Sequence, residues 1–369
     1  MKTSGRLESL DALRGFDMMF IMGFAPLVMS LCALWPGGAL SNAINAHMEH
    51  VDWNGLVHHD TIFPLFLFIA GCSFPFSLAA QQEKGASRTK ILWKAIRRGL
   101  TLFLLGLVYN GLFDLQWSTV RIWSVLGRIG LAWMFAAILY IYCTRKVRMG
   151  IAASILIGYS LLLCLVGAPD APAGTSPLSY EGNLVGYIDR CLYPNHLYQN
   201  KFFDPEGLLS TLPAIVTAML GMFTGELLRS GKYSGNRKTL YMAGASVALI
   251  AIGLAWNTVM PINKKLWSSS FVCAVAGYSV AMMALFYWII DVKGWRKWAT
   301  CFRVIGLNSI TIYMLQRIVE VEDIANFFVG GLENLLSKPW FSIIQNAGIL
   351  SVNWLILYFL YKKKIFLKL

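Results

Sequence analysis

Long apolar runs constrain this chain more than any other feature of its sequence. A membrane-spanning helix needs about 20 mostly apolar residues, and ten segments of roughly that length meet the requirement. They are residues 15–35, 61–80, 96–113, 122–143, 149–168, 206–228, 239–257, 268–290, 302–319 and 342–361. No polar-patterned stretch between them is long enough for a soluble domain. The sequence therefore predicts one all-α transmembrane domain over residues 1–369, with about ten helices.

The composition agrees with a polytopic membrane protein. Hydrophobic residues make up 57% of the chain and charged residues 14%, whereas soluble domains are about 45–50% apolar and about 25% charged. These values exclude a disordered chain and a soluble enzyme with a single membrane anchor. The first apolar run is longer than the core of a signal peptide, so we expect it to remain as the first helix.

The placement of the positive charges predicts the orientation. A net charge of +13 in a soluble protein would suggest a nucleic-acid partner. Here most of the 32 Lys and Arg residues lie at the two ends of the chain and in alternate connections. The opposite connections hold only Arg190, Lys201, Lys264, Lys265 and Lys338. Because cytoplasmic loops carry the positive excess, both termini are predicted to be cytoplasmic, and no nucleic-acid partner is expected.

Polar residues at membrane depth are functional candidates, because burying them in lipid is costly. Asp11 and Arg14 are three residues apart near the first span, so they share a helix face. Arg121 and Arg128 are seven apart, and Arg128 lies inside the fourth span. Arg128 therefore needs a partner or a polar cavity.

Two further polar groups have structural alternatives. Asp204 and Glu206 stand where the sixth span is predicted to begin, and capping of that helix explains them as well as a functional role does. Asn308 lies in the ninth span, where it could bind substrate or hold two helices together.

The connection after the first span holds four of the five histidines. A metal site, a histidine that acts as a general base, and simple interfacial histidines are three alternatives. No metal-ligand spacing such as H-E-x-x-H is present, so no metal is expected. His50 is the strongest candidate base, since Trp53 and Asn54 follow it closely. Asp60 begins the second span, where the helix dipole alone also favours an acid.

Six ordered motifs carry a family resemblance. They read R-L-E-S-L-D-A-L-R-G, H-x-x-W-N-G-L, D-x-I-F-P-L-F-L-F-I-A-G, R-I-x-x-V-L-x-R-I-G, D-P-E-G-L-L-S-T and I-G-L-N-S-I. Together they run from about Arg6 to Gln316. The set resembles the heparan-α-glucosaminide N-acetyltransferase family of transmembrane acyltransferases. The resemblance implies transfer of an acetyl group from cytoplasmic acetyl-CoA to an amine or hydroxyl of a sugar or glycan across the bilayer.

The resemblance also implies roles for individual residues. His50 would be the catalytic histidine, with Asp60 or Asp11 as the carboxylate that orients it. Asn54 or Arg128 could stabilise the oxyanion. The residues expected to bind acetyl-CoA are Arg14, Arg97, Arg98, Arg121 and Arg128. The residues expected to bind the acceptor are Trp53, Asn54, Asp204, Glu206 and Asn308.

The chain also departs from the lysosomal member of that family. It has no long luminal domain before the first span, and it reads Gly23-Phe24-Ala25 and Gln316 where that member has Asn and His. These departures bear on the identity of the substrate more than on the type of reaction. The missing luminal domain and the compact loops favour a bacterial inner-membrane homologue, with a homodimer as one assembly it allows. Two alternatives stay open at this point: a proton-coupled transporter, and an O-acyltransferase that acts on lipid-linked glycan or peptidoglycan.

Overall fold

The computed structural model describes residues 7–200 and 202–367, so Arg6 and Lys201 lie outside the described residues. Over these two ranges the chain is helical and has no named strand. The one β-type feature there is an isolated antiparallel bridge between Gly167 and Asn183. The predicted all-α class is confirmed.

The helices follow one another with short connections, apart from the long segment around α8. The first eight are α1 (Glu8–Met19), α2 (Ala25–Cys32), α3 (Ala39–Met48), α4 (His58–Glu83), α5 (Arg88–Tyr109), α6 (Val125–Tyr142), α7 (Arg145–Leu165) and α8 (Leu184–Leu192). The others are α9 (Thr211–Arg229), α10 (Gly235–Trp256), α11 (Ser269–Tyr287), α12 (Thr300–Leu307), α13 (Ser309–Ile318), α14 (Val321–Val329) and α15 (Lys338–Lys362).

Among the described residues, eight helical segments are long and apolar enough to cross a membrane. They are Glu8–Cys32, His58–Glu83, Val125–Tyr142, Arg145–Leu165, Thr211–Arg229, Gly235–Trp256, Ser269–Val292 and Lys338–Lys362. The polytopic architecture is therefore confirmed, but the count differs from the ten predicted spans.

Two predicted spans have no counterpart among these eight segments, each for a physical reason. The predicted span 96–113 corresponds to α5, which is 22 residues long but carries several Lys and Arg residues in its first half. The predicted span 302–319 is divided into α12 and α13. The break falls at Asn308, whose backbone leaves the helical region (φ −128°, ψ 29°).

The first span is also irregular. A π-helical turn, Phe20–Phe24, joins α1 to α2, and Gly23 in that turn has φ 132°. A residue with a Cβ would be strained there, so glycine permits the kink. The side-chain amide of Asn353 in α15 donates a hydrogen bond of 2.8 Å to the Met22 carbonyl. This bond gives a partner to a backbone group at the kink, where the geometry departs from that of a regular helix.

Close helix crossings hold the centre of the bundle. α1 crosses α12 so closely that a Cβ added to Gly15 would lie 1.7 Å from the Phe302 carbonyl oxygen. At the same crossing, a Cβ on Gly306 would lie 1.9 Å from the carbonyl oxygen of Asp11. Small residues at such points let two backbones approach in a membrane protein. The crossing brings α12 and the Asn308 break beside α1.

Candidate active site

A cavity of about 500 Å³ lies between α1, α4, α5, α6 and the α12–α13 break. On α4 its lining runs from His59 to Ala70, which at 1.5 Å per residue is about 16 Å of helix. Its middle is apolar, whereas both ends are polar. We call the end lined by His50, Lys264 and Glu206 the histidine end, and the end lined by Arg14 and Arg98 the cation end.

A hydrogen-bonded triad occupies the histidine end. Nδ1 of His50 lies 2.7 Å from Oδ1 of Asp60. Nζ of Lys264 lies 3.3 Å from the same oxygen and 3.1 Å from Nδ1 of His50. The Asp60 side chain is 1% exposed and the His50 side chain 52%. His50 is thus held from one side and accessible from the other.

This arrangement determines which imidazole nitrogen can react. An ionised carboxylate only accepts hydrogen bonds, so the short contact to Asp60 makes Nδ1 of His50 the protonated nitrogen. The other nitrogen, Nε2, then carries the lone pair that can accept a proton. Burial lowers the pKa of Lys264, and the charge of the Asp60 carboxylate acts against that shift.

Two outer loops dock to each other and so position the triad. The amide N–H of Gly55 donates to the Ile262 carbonyl at 2.8 Å. The side chain of Asn263 donates to Oδ1 of Asn54 at 3.1 Å. Because these bonds join residues 50–57 to residues 257–268, His50 and Lys264 are brought together although 214 positions separate them in the chain.

Trp53 extends the same scaffold to the long outer segment. Its indole N–H donates to the Leu178 carbonyl at 2.9 Å. Its ring makes edge contacts with Tyr180 and Phe203 at centroid distances of 5.4 and 5.6 Å. Trp53 and Asn54, both predicted to bind the acceptor, thus serve in this structure to hold the loop that carries His50.

Asp204 and Glu206 bind an arginine rather than cap a helix. α9 begins only at Thr211, so the capping alternative is wrong. Nε of Arg121 donates to Asp204 at 2.7 Å, and Nη2 contacts both Asp204 and Glu206. Burial alone would lower the pKa of Arg121, but its hydrogen bond to Asp204 and the charge of Glu206 raise it overall.

Arg128 is completely buried in the first turns of α6. Its Nη2 donates to the hydroxyl of Ser210, and its guanidinium lies 4.9 Å from the centroid of the Trp267 ring. Arg121 and Arg128 are the two arginines of the R-I-x-x-V-L-x-R-I-G motif. Neither residue lines the cavity. Their guanidinium groups contact Asp204 and Ser210 instead, so a role in binding the donor stays a prediction.

The cation end lies far from the triad. Nη2 of Arg14 donates to the hydroxyl of Ser73 at 3.3 Å. Ser73 follows Asp60 by thirteen residues of α4, or about 20 Å of helix. Asp11 contacts Arg14 at 3.4 Å. Asp60, and not Asp11, is therefore the carboxylate that orients His50.

Arg98 connects the cavity with a second one. Its guanidinium carbon lies 4.5 Å from the centroid of the Trp133 ring, and its side chain lines both spaces. The second cavity, of about 400 Å³, is also lined by Lys94, Arg97 and Thr101. Three of the five predicted donor-binding residues, Arg14, Arg97 and Arg98, thus share one region.

Asn308 lines the main cavity beside Gly306, near the cation end. Its amide donates to the Ile365 carbonyl at 3.0 Å. Phe366 and Leu367, which follow Ile365, line the same cavity. Asn308 is therefore separated from the histidine end, where the acceptor was expected.

Comparison with known proteins finds two similar curated relatives. No family model matches the chain. It is 29% identical over 423 aligned positions to heparan-alpha-glucosaminide N-acetyltransferase of Mus musculus, with 100% of this chain and 61% of the relative covered. For the Homo sapiens protein of the same name, identity is 28%, with 99% and 60% covered. Over its whole length the chain is therefore similar to heparan-alpha-glucosaminide N-acetyltransferases. It spans about three fifths of the length of these curated relatives.

Sequence reasoning missed Lys264 as a residue of the site. The residue contacts both His50 and Asp60, but it carries no motif and stands in a connection far along the chain. The available signal was its place among the few cations of the predicted outer connections, where positive charge is sparse. Across residues 7–200 and 202–367, no cluster of three His, Cys, Asp or Glu side chains could hold a metal ion.

Proposed function

We propose that this chain is a transmembrane acetyltransferase of the heparan-alpha-glucosaminide N-acetyltransferase family. It would move the acetyl group of cytoplasmic acetyl-CoA to an amino sugar or glycan at the outer face of the membrane, in a bacterial inner membrane. One observation carries the proposal: a single cavity has two arginines at the predicted cytoplasmic end and a His50–Asp60 pair at the other. The names of the two relatives support the same reaction class.

The donor would enter at the cation end. Arginine guanidinium groups are strong partners for phosphate oxygens, and acetyl-CoA carries its phosphates on the nucleotide half of the molecule. Arg14 and Arg98 line the main cavity, while Lys94 and Arg97 line the second cavity that adjoins it at Arg98. The pantetheine arm would then extend through the apolar middle towards His50.

The acetyl transfer would take place at the histidine end. Nε2 of His50 removes a proton from the acceptor amine or hydroxyl while the acceptor atom attacks the thioester carbonyl carbon. The carbon–sulfur bond breaks, and the sulfur leaves with the electron pair and receives the proton from His50, which gives CoA thiol. Asp60 holds the reacting tautomer throughout, as an orienting carboxylate does in hydrolase triads.

A two-step route uses the same atoms. Nε2 of His50 would attack the thioester itself, release CoA and carry the acetyl group until the acceptor takes it. A stable acetyl group on His50 when donor is supplied without acceptor favours this route. Its absence, together with retained transfer, favours direct attack.

Membrane vesicles containing the full chain and labelled acetyl-CoA test the proposal. We expect His50→Ala to lower acetylation of glucosamine or a glycan acceptor by about 100-fold or more, the usual contribution of a general base. His47→Ala is the matched control, because His47 accepts a hydrogen bond from the His58 backbone and does not line the cavity. A normal rate in His50→Ala would refute the mechanism. Uptake of sugar without any dependence on CoA would instead support a transporter.

The choice of acceptor separates the proposal from its nearest alternative. Vesicles are supplied in parallel with glucosamine-terminated oligosaccharide, with lipid-linked glycan and with peptidoglycan fragments. Transfer to an amino group supports the N-acetyltransferase. Transfer only to hydroxyl groups of the last two acceptors supports the O-acyltransferase.

A further inference from the structure

We infer that Lys264 is a positioning residue for the reaction: its ammonium group holds the Asp60 carboxylate and sets the balance of charge around the His50 imidazole. The inference rests on the proposed function for its meaning in catalysis. Its physical content, a cation that controls protonation of His50, can be measured without any activity.

The contacts of Lys264 place its charge between the two members of the pair. Nζ lies 3.3 Å from Oδ1 of Asp60 and 3.1 Å from Nδ1 of His50. The other Asp60 oxygen faces the Val51 amide at 3.5 Å. With His50 and Lys264 both on Oδ1, the carboxylate has little freedom to rotate away from the imidazole.

The loop that carries Lys264 is fixed by its own hydrogen bonds. Asn263, which is 1% exposed, accepts from the Leu266 amide at 2.8 Å. Its own backbone N–H donates to the Ser268 hydroxyl at 3.0 Å. The Tyr159 hydroxyl donates to the Leu266 carbonyl at 2.7 Å. Lys264 therefore projects from a rigid turn, which lowers the entropic cost of holding a long side chain in one place.

The charges that surround the imidazole oppose one another. Asp60 favours a protonated His50, and Lys264 disfavours it at almost the same distance. The other charged or titratable groups that face this end are His59, whose ring centroid lies 4.6 Å from that of His50, and Glu206. Lys265 points its ammonium group to the Asp52 carbonyl instead. Of these groups, Lys264 is the cation in direct contact with the imidazole.

The balance matters because only a neutral imidazole can take the acceptor's proton. If Lys264 loses its charge, Asp60 acts alone, and His50 holds a proton up to a higher pH. The acidic limb of the pH–rate profile then moves to higher pH. A residue with a merely structural role would lower the rate at every pH and leave that limb in place.

The decisive measurement is the reaction of His50 with diethyl pyrocarbonate as a function of pH. It is followed by peptide mass spectrometry on the full chain in detergent, since only the neutral imidazole reacts. We expect Lys264→Met to raise the protonation midpoint of His50 by about one pH unit, which corresponds to the loss of one close charge contact. Lys264→Arg should keep the midpoint of the wild type. Lys338→Met, an exposed lysine at the start of α15, is the matched control.

The outcomes separate the two proposals. An unchanged midpoint in Lys264→Met, or a midpoint in Lys264→Arg that moves as far as in Lys264→Met, overturns the role of Lys264. Lys264→Gln repeats the measurement should the methionine variant not be recovered in folded form. If the midpoint shifts as expected but His50→Ala still transfers acetyl, the role of Lys264 in protonation stands and the proposed function fails.

Discussion

The two ends of the cavity differ in how their charges are balanced. At the histidine end, a carboxylate and an ammonium group both contact Nδ1 of one imidazole and lie 3.3 Å from each other. At the cation end, Arg14 and Arg98 face the same space, and Arg98 rests on the Trp133 ring rather than on an acid. The charges of the first arrangement act on the proton of the imidazole, whereas the second presents positive charge that can bind an anion. Under the proposed function, one end of the cavity is the site of chemistry and the other the site of donor binding.

The largest effect that we expect is at the histidine end. Asp60→Asn keeps the size and shape of the side chain but presents an amide to Nδ1 of His50. The imidazole then adopts the wrong tautomer. We expect kcat to fall by roughly 10⁴-fold, as in hydrolase triads, while the KM for acetyl-CoA stays close to that of the wild type. Steady-state kinetics in vesicles measure both. Asp52→Asn is the control, and a similar loss there would argue against the specific pairing with His50.

The next effect concerns stability near the same end. Arg121→Met leaves the carboxylate of fully buried Asp204 without its cation. Breaking one partner of such a pair typically costs about 3–5 kcal/mol in the free energy of unfolding. A thermal or denaturant midpoint measured in detergent should drop clearly. Arg296→Met removes an exposed pair with Glu8 and should cost below about 1 kcal/mol. Equal losses in the two variants would contradict the assignment.

A smaller effect is expected at the cation end. Arg98→Met should raise the KM for acetyl-CoA by roughly 10-fold, the equivalent of one charged contact to phosphate, with a much smaller change in kcat. Arg88→Met, at the first position of α5, provides a basic residue of the same helix outside both cavities. If Arg98→Met lowers kcat as strongly as Asp60→Asn does, the proposed division between binding at the cation end and chemistry at the histidine end is wrong.

The smallest effect is a dependence of stability on pH. Burial, with the nearby charge of Asp204, raises the pKa of Asp189 to about 7. Two hydrogen bonds from backbone N–H groups favour the charged form and act against this rise. An acid with a raised pKa binds its proton more tightly in the folded state, so its stabilising contribution is lost as the pH rises through about 7. Melting curves should show this loss between about pH 4, near the ordinary pKa of an aspartate, and about pH 7, and Asp189→Asn should flatten it. An unchanged slope in that variant assigns the dependence to another group.

Sequence periodicity predicts the helices well where the apolar runs are continuous. It fails at Asn308, because a polar residue and a local change in backbone angles break a helix without breaking the apolar run. It also counted α5 as a span by its apolar second half and gave too little weight to its basic first half. In the first case the hydropathy pattern does not encode the continuity of the helix; in the second the helix is continuous, but its basic first half sets it apart from the other spans.

The site was predictable as far as the motifs extend. His50 and Asp60 belong to consecutive motifs, and the structure joins them at 2.7 Å. Lys264 could not be placed, because its contact with His50 depends on how two loops 214 positions apart dock. The donor-binding role of Arg121 and Arg128 stays a prediction: neither residue lines the cavity, and charge alone does not tell which end of a cavity a side chain faces.

The apolar middle of the cavity has a consequence for the membrane itself. Ile62, Phe63, Phe66 and Ile129 line the section between the two polar ends. Apolar lining opposes the entry of water and ions, the property on which the hydrophobic gates of channels depend. Under the proposed function, this apolar section would let two compartments share one reaction space while it limits the leak of ions between them.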